Sequence, residues 1–261
     1  MEGGARDEAH VEFDRVQMAF GERQVFRALS CRFPRGRISV ILGGSGSGKS
    51  TVLRLIGGLV RPQGGSIRVD GDEVTGRSEA ALYAIRRKLG MMFQGGALLD
   101  SMTVFDNVAF PLREHTRMAE PEIADAVHAS LTAVGLTDVD PLLPGQLSGG
   151  MVKRAALARA IIMKPVILLC DEPFSGLDPV SVKLIERLLA RVNEQLHATM
   201  LVVSHHIAST MRLADWVVLL LPGGAVQGPP DEIRRNPDAR VAAFLSEEAE
   251  PSEATMAEAH W

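Results

Sequence analysis

The apolar run Ile38-Ser39-Val40-Ile41-Leu42 leads without a break into Gly43-Gly44-Ser45-Gly46-Ser47-Gly48-Lys49-Ser50, after which Val52, Leu55, Ile56 and Leu59 recur at helical spacing. A strand, a glycine turn and a helix in that order constrain the chain sharply. A continuous apolar strand needs cover on both faces, which is the condition of a central strand in a parallel sheet. Val166-Ile167-Leu168-Leu169-Cys170 is a second such run and ends in Asp171-Glu172; Met200 to Ser204 and Trp216 to Leu221 read as further strands. Between them, Asp178-Pro179 starts a helix whose Leu184, Ile185, Leu188, Leu189, Val192 and Leu196 share a face. Strands alternating with helices of this length predict an α/β fold with a mainly parallel core sheet covered on both sides.

The rest of the chain departs from that alternation. Residues 11–37 read as short strands with a turn at Gly21-Glu22, and Ser66 to Val69 as another strand after the Pro62 and Gly64-Gly65 break. In the middle third, Pro121 opens a helix carrying Ile123, Val127, Leu131 and Val134, and Gly135 closes it. Ser148 can cap a helix running through Ala155 to Met163. Residues 94–164 are therefore expected to form a helical lobe inserted in one domain spanning 1–245. Residues 246–261 read as an acidic, alanine-rich tail without a folded core.

Composition narrows function. With 261 residues, a formal charge of −4 and a pI near 6.0, the chain has no broad basic surface, which argues against nucleic acid as a partner. Cys31 and Cys170 each lie in an apolar stretch and read as buried free thiols suited to a reducing compartment. The N-terminal residues lack the apolar core of a signal peptide. No apolar run approaches the roughly 20 residues that span a bilayer. The expectation is a cytoplasmic chain that reaches a membrane only through a partner.

The glycine loop matches Gly-x-x-x-x-Gly-Lys-Ser in its credible context, after a strand and before a helix. Gly43, Gly44, Ser45, Gly46, Ser47, Gly48, Lys49, Ser50 and Thr51 are the expected nucleotide-binding set. Their N–H groups and the helix N-terminus suit phosphate oxygens. Lys49 would reach the β- and γ-phosphates of ATP, and the Ser50 hydroxyl would bind Mg²⁺. Asp171 and Glu172 end a buried strand, where carboxylates are costly unless they meet a cation or hydrogen bonds. Asp171 is placed to hold the metal, and Glu172 to deprotonate an attacking water. His10, His115, His128 and His197 are scattered, so no metal site is predicted from them.

Taken together, up to about Leu245, these elements resemble an ATP-binding cassette (ABC) ATPase subunit. Phe20 lies 23 positions before Gly43 and matches the aromatic on which adenine stacks in that family. Gln94 matches the glutamine that links Mg²⁺ and the water to a transmembrane partner. His205 matches the switch histidine that contacts the γ-phosphate; alone, it would read as a strand-end histidine. Leu147-Ser148-Gly149-Gly150 matches the family's signature element. The resemblance implies a homodimer in which Ser148, Gly149 and Gly150 grip the nucleotide of the other copy, with Asp178 of Ser175-Gly176-Leu177-Asp178 crossing the interface. Residues 95–108 correspond to the region that accepts a permease segment, with Leu98, Leu99 and Met102 as the expected contacts. Gly44, Met151 and His206 depart from the common pattern of proline, glutamine and aspartate.

Phe110-Pro111-Leu112-Arg113-Glu114-His115-Thr116, Phe174, and Asn236-Pro237-Asp238-Ala239-Arg240-Val241 with Phe244-Leu245 are similar to the branch that serves maintenance of lipid asymmetry (Mla), associated with MCE proteins. That likeness implies a phospholipid transporter ATPase on the cytoplasmic face of an inner membrane. Its implied partners are an integral permease, an MCE substrate-binding protein and a small STAS-domain protein. The alternatives are the ATPase of another ABC importer or exporter, or a soluble ABC protein of DNA repair or translation. The last kind carries two cassettes or long inserted arms, which this chain lacks.

Overall fold

A computed structural model describes residues 8–247. The chain opens with two long strands, β1 (Ala9–Phe20) and β2 (Arg23–Pro34), where shorter ones were expected; the turn at Gly21-Glu22 lies as predicted. Next come β3 (Ile38–Gly43), α1 (Lys49–Ile56), β4 (Gly64–Val69) and the two-residue β5 (Asp72–Glu73). A short helix α2 (Glu79–Arg86), capped by Ser78, precedes β6 (Leu89–Met92). Three helices then follow in succession: α3 (Val104–His115), α4 (Glu120–Ala133) and α5 (Gly149–Ile161). The chain returns through β7 (Ile167–Asp171), α6 (Pro179–Leu196), β8 (Thr199–Val203), α7 (Ile207–Leu213), β9 (Trp216–Leu221) and β10 (Gly224–Gly228). It closes on α8 (Pro230–Arg234) and α9 (Ala239–Glu247). The tail expectation falls almost wholly on residues 248–261, outside the described residues.

Six strands form the core sheet in the order β10-β9-β3-β8-β7-β6, all parallel except the β10 edge; a separate antiparallel sheet runs β2-β1-β4-β5. Alternate side chains of the core strands leave by opposite faces. Val40, Leu42, Leu168, Cys170, Met200 and Val202 join one apolar core with α3 to α6. Ile41, Ile167, Leu169, Leu201, Val203 and Val218 join the other, with α1 and the antiparallel sheet. Both cysteines are buried and unpaired, and burial pushes each thiol up to about 12.

Two apolar residues assigned to helix faces are exposed instead: Leu59 lies past the end of α1, beyond the left-handed Gly58, and Leu184 is 41 % exposed on α6. Val166 is likewise outside its strand and exposed. Packing is tightest where α5 crosses β6. A Cβ on Gly90 would sit 2.3 Å from the Ala160 carbonyl oxygen and 2.8 Å from Pro165 Cγ. Overpacking of this kind costs about 1–3 kcal/mol, so Gly90→Ala is expected to lower stability by that much, read as a reduced midpoint in urea unfolding.

Candidate nucleotide-binding and catalytic site

Strand order assembles the site. Neighbouring strands β3, β8, β7 and β6 end, at the same edge of the sheet, in the Gly43–Ser50 loop, in Ser204-His205, in Asp171-Glu172 and in Gln94. Ligands of open parallel sheets bind outside the carboxyl ends of the strands. A cavity of about 250 Å³ lies there, lined by Phe20, Arg23, Lys49, Gln94, Glu172 and His205 among others.

The loop's shape rests on its glycines. Gly46 and Gly48 have φ of 75° and 98°, and Gly48 caps α1 in the left-handed region, where glycine is favoured. Lys49 is buried, and its Nζ donates to the Gly43 and Gly44 carbonyls at 2.7 and 3.1 Å. Ser50 Oγ donates to Asp171 Oδ1 at 2.9 Å, joining the first turn of α1 to the end of β7. Thr51 is buried and also lines the cavity, as do Ser45, Gly46 and Gly48. Phe20 stands 45 % exposed at the cavity wall, as an aromatic awaiting a flat partner would.

Glu172 is the most constrained residue in the set. Its φ is 49°, a left-handed conformation that costs a non-glycine residue about 1–3 kcal/mol and clusters at functional sites. Its side chain is 5 % exposed, and burial raises its carboxyl above the usual range, opposed by the His205 N–H and the Lys49 charge. His205 meets it twice: the backbone N–H donates to Oε2 at 3.3 Å, and Nε2 lies 3.1 Å from Oε1. His206, the departure from the family pattern, turns away and packs edge-on against Phe174 at 6.2 Å.

The structure separates the remaining residues from this cavity. Ser148, Gly149 and Gly150 do not line it; Ser148 is exposed and caps α5 by accepting from the Met151 N–H at 3.3 Å. Asp178 is exposed and caps α6, accepting from the Val180 and Ser181 N–H groups at 2.9 and 3.1 Å and from the Ser181 hydroxyl. That hydroxyl lies 3.3 Å from where a Gly150 Cβ would stand. The Ser148–Gly150 element and Asp178 therefore form one patch, apart from the glycine loop of the same chain.

One feature escaped the sequence reading. Lys153 on α5 is 4 % exposed, with Nζ donating to the Glu172 carbonyl at 2.9 Å and to Ser175 Oγ at 3.1 Å. The signal was present, because Lys153 shares a helix face with Ala156, Leu157 and Ala160, all buried. An apolar groove of about 590 Å³ lies beside residues 95–108, lined by Tyr83, Leu89, Met91, Phe93, Leu99 and Phe110 together with Arg86, Arg87 and Arg159. Of the three contacts expected in residues 95–108, Leu99 lines it, while Leu98 packs on the core and Met102 is half-buried. Val104 and Val108 are fully buried in the core. Phe93 faces the groove and the next residue, Gln94, faces the cavity.

Comparison with known proteins agrees with this geometry. The ABC transporter family model matches residues 26–175. The intermembrane phospholipid transport system ATP-binding protein MlaF of Escherichia coli K12 is 43 % identical over 236 residues, 90 % of this chain and 88 % of that protein. The probable ribonucleotide transport ATP-binding protein mkl of Mycobacterium tuberculosis H37Rv is 41 % identical over 257 residues, 95 % of this chain and 72 % of that protein. Among solved structures, the dimeric post-hydrolysis state of the ATP-binding cassette MJ0796 bound to ADP and Pi superposes with a TM-score of 0.77 at 30 % identity, covering 84 % of this chain and 98 % of that one. Among the described residues, no helix is long and apolar enough to cross a membrane. The chain belongs to the ABC transporter family, as an ATP-hydrolysing subunit.

Proposed function

We propose that the chain powers a phospholipid transporter of the Mla type, working as a homodimer that closes on two ATP molecules and opens when they are hydrolysed. One observation carries the dimer: the Ser148–Gly150 element, with the make-up of a phosphate site, does not line the cavity of its own chain. A second copy would bring that patch, a helix N-terminus with free N–H groups, over the phosphates held by the first.

In this reading Phe20 stacks on adenine, the loop N–H groups and Lys49 bind the β- and γ-phosphates, and Glu172 takes the proton of the attacking water. A buried carboxyl raised toward neutrality is a better base than an exposed one. His205 holds Glu172 and senses the γ-phosphate. The hard oxygen donors of Ser50 and Asp171, already 2.9 Å apart, fit Mg²⁺, with Gln94 on the same cavity wall. When bound, the ion would neutralise phosphate charge. Asp178 lies beside the trans patch and would cross the interface with it.

The groove beside Phe93 and Leu99 suits a short segment of an integral permease, and residues 94–164 would form the lobe that carries it. In this reading the chain sits on the cytoplasmic face of the membrane through its partner, with MCE and STAS-domain proteins as further members of the assembly. The likeness to MlaF, an intermembrane phospholipid transport protein, supports lipid cargo, while that to mkl, a probable ribonucleotide transport protein, supports a ribonucleotide.

Purification from native membranes in mild detergent separates the two readings. Recovery of a permease with bound phospholipid is expected, with Leu99→Asp losing the permease yet retaining ATP binding. A complex that binds ribonucleotide cargo, and whose ATPase ignores phospholipid, would reject the lipid assignment.

A further inference from the structure

Lys153 is an expensive residue to bury. It is 4 % exposed on a helix whose other buried residues are apolar, and methionine would span a similar space without desolvating a charge. What it holds is specific. Nζ donates to the carbonyl of Glu172, the peptide whose left-handed φ aims the base, and to the Ser175 hydroxyl, which itself donates to that carbonyl at 3.0 Å. Ser175 opens the loop that ends in Asp178. Five residues before Lys153, the same helix starts at Ser148.

We infer that Lys153 is a positioning residue that couples the two nucleotide sites of the dimer. It locks the helix that serves the partner's nucleotide to the peptide that orients its own chain's base. Displacement of α5 by the partner's nucleotide therefore moves the Glu172 carbonyl directly, and the orientation of Glu172 reports whether α5 is engaged. The inference rests on the reading above in which Ser148 acts on the other copy's nucleotide.

Two readouts on the full-length chain separate this role from simple support of Glu172. In the otherwise unaltered chain, Lys153→Met is expected to lower kcat about tenfold or more, within the 5–150-fold range of typical couplings, while KM for ATP stays within about twofold. In a Glu172→Gln background the base is already absent from both copies, so any further change reports the clamp alone. There, Lys153→Met is expected to shorten the lifetime of the ATP-trapped dimer about tenfold, and Lys153→Arg to restore both readouts in large part.

A trapped dimer whose lifetime is unchanged by Lys153→Met would overturn the coupling role, as would failure of Lys153→Arg to restore kcat. If Lys153→Met does not fold, Lys153→Gln carries the same comparison. Ser148→Arg in the Glu172→Gln background is run in parallel. Should it leave the trapped dimer intact, the assignment of Ser148 to the other copy fails, and that outcome is distinct from failure at Lys153.

Discussion

Glu172→Gln is expected to leave a chain that folds, binds ATP and pairs, yet turns over ATP about 10²–10⁴ times more slowly, the usual contribution of a general base. The substitution is nearly isosteric, so the buried space beside His205 stays filled. The amide oxygen can still accept the His205 N–H now received by Oε2. A charge whose burial already opposes its ionisation is removed, so stability is not the source of the loss. What disappears is the carboxylate proposed to take a proton from water. Light scattering with ATP should then show a long-lived dimer, and single-turnover assays should show bound ATP uncleaved. Unchanged steady-state turnover would mean that another residue activates the water.

Ser148→Arg produces a loss of similar scale by a different route. Ser148 is exposed and lies outside its own chain's cavity, so the isolated chain should bind ATP with little change. Loss of the helix cap costs about 0.5–2 kcal/mol, which a domain of this size tolerates. Closure is another matter. A bulky side chain replaces a hydroxyl at the face proposed to meet the partner's phosphates, and turnover should fall about 10²-fold or more, as when a single charge-stabilising donor is removed. Ser148→Asp sharpens the test: it keeps a capping oxygen but turns a negative charge toward the phosphates. Both variants should fail to dimerise with ATP, while only the arginine variant loses thermal stability. Lost ATP binding by the isolated Ser148→Arg chain would contradict this division of labour.

The parts of this site that were legible in sequence are those in which neighbouring residues share a job. Ile38 to Ser50 announces itself because a buried strand, glycines in the left-handed region and a helix start are all local. Asp171 and Glu172 are conspicuous because two carboxylates terminate a fully apolar run. Features built by distant segments were legible only in part. The apolar groove draws on α2, β6, the segment after Gln94, α3 and α5, and no single stretch shows its pattern. Helix α3 hid behind Pro111 within it, a residue that ordinarily argues against helix interior. Lys153 was overlooked because a lysine on an alanine-rich helix resembles a solvated charge until its buried neighbours are known. Leu59 and Leu184 show the opposite error, in which helical spacing was extended to residues that the fold leaves in water.

Phe93 and Gln94 are consecutive, yet one looks toward the groove and the other toward the fuel. Pressure on the aromatic ring from outside would reach the amide next door through a single peptide plane, with no relay across the sheet, and Arg159, donating to the Gly96 and Ala97 carbonyls at 2.8 Å, holds the turn that follows them.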